Sequence, residues 1–248
     1  MSSIRLHGKV ILDLAGKPAI AQVFHQLAFS KKISNAVLAT SINEDDNILV
    51  KWAEKNNIPF YRGSIDNVLE RFYNAAKYFN ADIIVRVTGD CPLIDPEIID
   101  LMLDKFIGSD LDYLTNNNPP TFPDGLDVEI FSMESFEKVY QQAKLLSELE
   151  HVTPYYKTYY KLFKIDNYTN EINLQNHRWT LDTREDYELI KIIYSKLFNE
   201  NSFISYKEVL KLFDADKELY KINKHINRNE GYITSLKKDN DIKPDGIN

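Results

Sequence analysis

Asp90 is the first residue whose placement suggests chemistry. It sits in Arg86-Val-Thr-Gly-Asp-Cys-Pro-Leu-Ile-Asp-Pro96, directly after the apolar run Asp82-Ile-Ile-Val85. That pattern predicts a short buried strand emptying into a glycine turn that carries a carboxylate. Ligands of open α/β sheets gather at the carboxyl ends of strands, so Asp90 stands where a nucleotide-bound Mg²⁺ could be held. The first nine residues, Met-Ser-Ser-Ile-Arg-Leu-His-Gly-Lys, supply the other half of such a site. Phosphates need backbone N–H groups in a compact loop and cationic side chains, and Arg5, Gly8 and Lys9 offer both. It is not a Walker loop, which ends a longer glycine frame in Lys-Ser or Lys-Thr. Together the two segments point to nucleotidyl transfer.

Asp182, in Arg178-Trp-Thr-Leu-Asp-Thr183, is a second carboxylate at the end of a predicted strand. Two such carboxylates can hold Mg²⁺ while substrate phosphates and water complete the octahedron. Helix capping is the competing role, and spacing alone favours it for Asp182. Asp124, Asp127 and Glu129 lie in and after a long loop. Alternation along a strand would put Asp127 and Glu129 on one face, as acceptors for sugar hydroxyls or as a solvated edge. Glu148, Glu150 and His151 open a predicted helix, where carboxylates also favour the dipole. His25 reads as a helix-surface residue and His177 as a loop residue. No His-Cys cluster has zinc spacing, and no Ser-His-Asp arrangement can be argued.

The elements that must position these groups alternate between strand and helix. Helices are expected at 18–30, 41–56, 66–79 and 96–106, with Pro18 opening the first and Asn43 and Asp95 as caps. Strands are expected at 36–40, 58–61 and 83–87. This alternation with short connections predicts a Rossmann-like α/β fold, its mostly parallel sheet covered on both faces. After about residue 110 come a turn-rich loop at 116–125, a half-buried strand at 126–131 and helices at 133–144 and 147–160, the second punctuated by Pro154. A strand at 178–181 and a helix at 185–198 follow. From about residue 216 the chain is polar with little amphipathic pattern, a peripheral extension partly mobile near 237–248. The division is therefore a main domain over 1–200 and an extension over 201–248.

Composition narrows the function. The chain has 248 residues, 44% of them hydrophobic and 27% charged, which suits one domain with a substantial core. A net charge of -7 argues against a nucleic-acid surface. The single Cys91 allows no internal disulfide and fits a reducing, cytoplasmic setting. No apolar run reaches membrane-span length, and no signal peptide is evident.

The motifs also resemble a known family. Ser2-Ser3-x-Arg5-Leu-x-Gly8-Lys9-Val10 with Leu14-x-Gly16-Lys17-Pro18 is similar to the signature loop of sugar-activating cytidylyltransferases. In order follow Arg62-Gly-Ser-x-Asp-Asn-Val-Leu-x-Arg71, Thr88-Gly-Asp-Cys-Pro-Leu-Ile-Asp95, Phe122-Pro-Asp-Gly-Leu-Asp-Val-Glu129, Ser147-Glu-x-Glu-His-Val-Thr-Pro154, Arg178-Trp-Thr-Leu-Asp-Thr183 and Asn227-Arg-Asn-Glu-Gly-Tyr232. The chain most resembles the spore-coat polysaccharide biosynthesis cytidylyltransferases, with CMP-sialic acid and CMP-Kdo synthetases as more distant relatives. The resemblance implies a nucleotidyltransferase fold of the nucleotide-diphospho-sugar type and attack of a sugar hydroxyl on the α-phosphate of CTP. It implies Arg5 and Lys9 as catalytic cations, Ser2, Ser3, Gly8, Ser64, Asp66 and Arg71 around the nucleotide, and Asp90 and Asp182 on Mg²⁺. Asp124, Asp127, Glu129, Glu150 and His151 would face the acceptor, expected to be a nonulosonic-type sugar acid. A homodimer is compatible with this family; nucleic acid and membrane partners are not expected.

Two departures stand out. His7 takes a position where relatives usually have proline. Relatives also run an apolar strand into this loop, whereas Met1 falls inside it. The expectation is a late-assigned start in preference to a degraded copy, with unpaired edges and a groove in the core, and a polypeptide of poor stability or activity as written. Rival readings are transfer of another nucleotide to a hexose 1-phosphate, a non-catalytic sugar- or nucleotide-binding relative, and a glycosyltransferase that consumes nucleotide sugars.

Overall fold

The computed structural model describes residues 6–242. The chain opens with a one-turn 3₁₀ helix at Lys9–Ile11 and a hairpin of β1 (Asp13–Leu14) and β2 (Lys17–Pro18). Ala15 and Gly16 both take positive φ in its two-residue turn, the geometry that matches the twist of the flanking strands. Then come α1 (Ala19–Leu27), β3 (Leu38–Ser41), α2 (Asn47–Lys55), β4 (Phe60–Gly63), α3 (Val68–Tyr78), β5 (Ile83–Arg86), α4 (Pro96–Ile107) and β6 (Tyr113–Thr115). The second half holds β7 (Glu129–Ser132), α5 (Met133–Gln142), α6 (Leu146–His151), α7 (Pro154–Thr158), β8 (Ile165–Asn167), α8 (Arg184–Leu197), α9 (Tyr206–Ala215) and α10 (Glu230–Ile242).

In the order β5-β7-β6-β8, only β7 runs against its neighbours, so the α/β sheet is mostly parallel. Alternation along the strands builds two cores. Leu114 and Ile130 face a large core with α1, α4, α8 and Trp179, while Tyr113 and Phe131 face a second with α3, α5 and α7. Strand β7 is therefore buried on both faces rather than half-buried as its pattern predicts.

Strands β3 and β4 form a separate parallel pair. Among the described strands β3 pairs only with β4, and β5 only with β7. A cavity of about 880 Å³ separates the two facing edges, walled by α1 and α4 residues such as Val23 and Leu103 and by α3 residues such as Phe72 and Ala76.

Several sequence expectations shift. Residues 126–128 precede β7 rather than belong to it, because Asn116 claims them: its side chain donates to Leu126 O and accepts from Val128 N. Residues 178–181 form no strand; Arg178 makes one isolated bridge to Asp124. The expected helix 147–160 is split at Val152, which takes positive φ ahead of Pro154. Residues 41–56 begin as a 3₁₀ turn capped by Asn43 before α2. Strands β6 and β8, three residues each, are too short to carry a readable pattern. The polar segment 230–242 is helical, and α10 packs on α6 through Ser235, which donates to Glu150 and bonds His151. Residues 243–248 lie outside the described residues. No helix among the described residues is long and apolar enough to cross a membrane.

Candidate active site

Asp90 lies in the turn that follows β5, three residues intervening, and Thr88 Oγ1 donates to its Oδ1 at 2.5 Å. The main chain then joins this turn to residues 180–182 without a strand. Leu181 N donates to Asp90 O at 2.8 Å, and Thr180 Oγ1 does so at 3.1 Å. The two segments thereby bring Asp90 and Asp182 side by side.

Lys9 lies between them. Its Nζ donates to Asp90 Oδ2 at 2.5 Å and to Asp182 Oδ1 at 2.6 Å. Gly8 makes this approach possible by taking φ +66° at the cap of the 3₁₀ turn, a region open to glycine without a Cβ penalty. Burial pushes the Asp90 carboxyl up, but the Lys9 ammonium and the Thr88 hydroxyl outweigh it and bring it down to about 2. Burial likewise pulls Lys9 down, and the two carboxylates reverse that and hold it above the ordinary lysine value.

Arg178 is the hub behind this pair. It is 6% exposed and donates to Asp124 Oδ2 at 2.7 Å, Asp182 Oδ2 at 3.2 Å and Asp186 Oδ2 at 2.9 Å. Burial opposes its charge, yet Asp186, Asp124 and Asp182 raise its pKa above the usual arginine value. Asp186 is fully buried and closes a capping box with Thr183 at the start of α8. Thr183, not Asp182, caps that helix, which leaves the Asp182 carboxylate turned to Lys9 and Arg178. Asn223 ties the hub to the C-terminal segment, donating to Arg178 O and Asp186 Oδ1. Gly125 permits the adjoining loop to lie on residue 179: at φ +101° any Cβ would come within 2.6 Å of the Trp179 carbonyl.

The acidic loop groups are spread over two settings. Asp124 is held by Arg178 and lies 3.7 Å from Arg228, while Arg228 also pairs with Asp127. Burial raises both carboxyls against Arg228, Asp127 to about 7. Glu129 is 3% exposed and accepts from Tyr113 Oη at 2.5 Å, Thr153 Oγ1 at 2.6 Å and Arg86. Burial opposes the Glu129 charge as well, but Arg86 and Lys157 keep its pKa below the ordinary value. Glu150 and His151 border the cavity between β3 and β5, whose lining Arg86 shares. Burial lowers the His151 imidazole.

Ser64 Oγ accepts from Asn67 N, and its carbonyl accepts from Arg71 at 2.7 Å. Arg71 lies along the cavity, and its Nε and that of Arg86 are buried without a hydrogen-bond partner among the described residues. Gly63 gives Arg71 room, because a Cβ there would meet Arg71 Cγ at 2.9 Å. Asp66 is exposed. Ser2, Ser3 and Arg5 lie outside the described residues. Sequence reasoning did not single out Arg178, Asp186, Asn223 or Arg228 as site residues; the one signal was that Arg178 and Arg228 fall inside quoted motifs.

The donor set fits a hard cation such as Mg²⁺: two carboxylates turned onto one positive centre, with no soft ligand among the described residues besides the buried Cys91 thiol, which burial holds protonated. What the arrangement can do is offer an ammonium to an anionic ligand over a buried base of carboxylates and a guanidinium.

The comparisons agree with this geometry. A family model described as Cytidylyltransferase matches residues 1–228. The chain is 30% identical over 230 residues to the spore coat polysaccharide biosynthesis protein SpsF of Bacillus subtilis, covering 88% of this chain and 92% of that one. A solved cytidylyltransferase from Leptospira borgpetersenii superposes with a TM-score of 0.84 at 36% identity, over 89% of this chain and 92% of its own. A CMP:2-keto-3-deoxy-manno-octonic acid synthetase complexed with CTP shares the fold, with a TM-score of 0.61 at 14% identity over 78% and 94% of the two chains. The chain belongs to the cytidylyltransferase family, a family of nucleotidyltransferases with a Rossmann-like fold.

Proposed function

We propose that the protein transfers CMP from CTP to a hydroxyl of a sugar acid for surface-polysaccharide synthesis, and that the acceptor is of the nonulosonic type. The observation that carries this reading is Lys9 held between Asp90 and Asp182 beside the Arg178 hub. In this reading Asp90 and Asp182 hold Mg²⁺, which offsets triphosphate charge when bound. Lys9 and Arg5 offer cations to phosphate oxygens, and Ser2, Ser3 and Gly8 line the loop around them. Ser64, Asp66 and Arg71 lie toward the nucleotide.

The acceptor oxygen bonds to the α-phosphorus as the bond from that phosphorus to the bridging oxygen breaks. Pyrophosphate carries the leaving electron pair, and the acceptor proton passes to solvent. Such transfer depends on positioning and electrostatic stabilisation rather than a protein nucleophile. Asp124 and Asp127 orient the acceptor side through Arg178 and Arg228, and Glu129 braces Arg86. Glu150 and His151 border the approach. The test is Mg²⁺-dependent pyrophosphate release with CTP, UTP, GTP and ATP against a panel of sugar acids. Release confined to CTP and a sugar acid supports the reading. Nucleoside diphosphate as product would make the protein a glycosyltransferase instead.

A further inference from the structure

We propose that α10 is a positioning element for the acceptor side of the site. Its Ser235 fixes the His151 imidazole with Nε2 protonated and Nδ1 bare, so that His151 accepts a hydrogen bond from a hydroxyl or amide N–H of the acceptor.

One face of α10 grips α6. Tyr232, which ends the last quoted motif, shares that face with Ser235 and Asp239, at helical spacings of three and four residues. Asp239 Oδ1 accepts from Ser147 N at 3.0 Å, at the start of α6. At the other end of α6 the Tyr232 ring meets the His151 ring edge-on, with centroids 5.2 Å apart and planes at 83°. Ser235 is 2% exposed, and its Oγ lies 2.7 Å from Glu150 Oε2 and 3.0 Å from His151 Nε2.

Proton counting sets the direction of these bonds. A hydroxyl carries one hydrogen, and a carboxylate only accepts. The Gly231 carbonyl is also within reach of Ser235 Oγ, at 3.2 Å, but the nearer, charged Glu150 oxygen is the stronger acceptor. Ser235 therefore donates to Glu150, and its oxygen accepts from His151 Nε2. Burial lowers the imidazole pKa more than Glu150 raises it. Arg86 on β5 lowers it further, while Glu129 on β7 and Asp239 on α10 act weakly the other way. The ring is neutral near pH 7, and with its one N–H committed at Nε2 it keeps a lone pair on Nδ1. No described group donates to that nitrogen.

The two ring nitrogens look out from different edges, so with Nε2 on α10 the Nδ1 edge is turned away from that helix. The open space that His151 borders is shared with Arg86, Thr88 and Gly89, the segment that leads into Asp90. Arg86 offers only donors there, and His151 Nδ1 only a lone pair. Such a pair sorts ligands. The guanidinium favours an anionic oxygen, whereas the bare nitrogen repels one and favours a group that donates. A sugar acid carrying a hydroxyl or amide N–H at that point satisfies both, and an analogue without the donor leaves Nδ1 unpaired. The nature of the ligand rests on the function proposed above; the tautomer rests on α6 and α10 alone.

The test reads ring nitrogens and kinetics on the full chain, in the parent, Ser235→Ala and Ser235→Thr. Nitrogen-15 NMR near pH 7, with the His151 signal assigned by its loss in His151→Gln, is expected to show one Nε2–H form in the parent and in Ser235→Thr. Ser235→Ala should show mixed tautomers. With CTP and a sugar acid that turns over, Ser235→Ala should raise KM for the sugar acid about 10-fold. Its kcat should stay within about 3-fold and its KM for CTP should not move, and Ser235→Thr should restore the parent values. A purely structural helix would shift neither the tautomer nor one KM alone. Should Ser235→Ala fail to fold, Glu150→Ala serves instead: it frees the Ser235 proton and should admit the Nδ1–H form. An Nδ1–H tautomer in the parent overturns the proposal, and so does an unchanged sugar-acid KM in Ser235→Ala. Absence of turnover with every sugar acid would strike the proposed function and the ligand half of this inference together, while the NMR signal still decides the assignment of Ser235.

Discussion

The two sides of the sheet end in opposite conditions. Around Arg178 every buried charge has a partner: Asp124, Asp182 and Asp186 on the guanidinium, and Asp90 and Asp182 on Lys9. Across the sheet, among the described strands β3 pairs only with β4 and β5 only with β7, and a cavity lies between them. The first region is held by side-chain electrostatics, with partners drawn from loops and from the C-terminal segment. The second is held by main-chain pairing within each of two separate sheets.

The comparison breaks most directly at its hub. Arg178→Ala leaves three carboxylates facing one another and is expected to cost about 3–5 kcal/mol. Urea denaturation measures it, and a loss below about 1 kcal/mol would show that the hub does not hold the region. Gly125→Ala follows, at about 2–3 kcal/mol, because positive φ and the Trp179 backbone both oppose a Cβ.

Lys9→Ala sharpens the electrostatic side. The depressed Asp90 group adds stability above its unfolded pKa, and that share is lost as pH falls through about 2. Without Lys9 the buried carboxyl rises instead. The variant should trail the parent by about 2 kcal/mol at pH 7, with a gap that narrows toward pH 4. A gap independent of pH would remove Lys9 from the account. The smallest effect concerns Asp127, raised to about 7 by burial despite Arg228. A raised carboxyl costs stability above its folded pKa and none below its unfolded one. The Tm of Asp127→Asn relative to the parent should therefore climb between pH 4 and pH 8. A falling difference would mean that the Arg228 pair outweighs burial.

Much of this was legible in the sequence where one element carried its own signal. Asp95 before Pro96 marked the start of α4, and the run Asp82–Val85 marked β5 and the turn holding Asp90. The family resemblance put Asp182 beside Asp90 although the expected strand there is a single bridge. What escaped is nonlocal. No local pattern shows that Arg178 gathers carboxylates from residues 124, 182 and 186, or that Asn223 reaches back to it. Asp127 and Glu129 were paired by alternation, yet the loop clamp at Asn116 moves the strand start to Glu129 and separates their partners.

The central claim is nucleotidyl transfer at Asp90 and Asp182. Its most direct test is Mg²⁺-dependent pyrophosphate release from CTP and a sugar acid, comparing the parent with Asp90→Asn. The account predicts turnover in the parent and a loss of at least about 100-fold in the variant, whose folded signal is retained. Equal turnover in the two would contradict it.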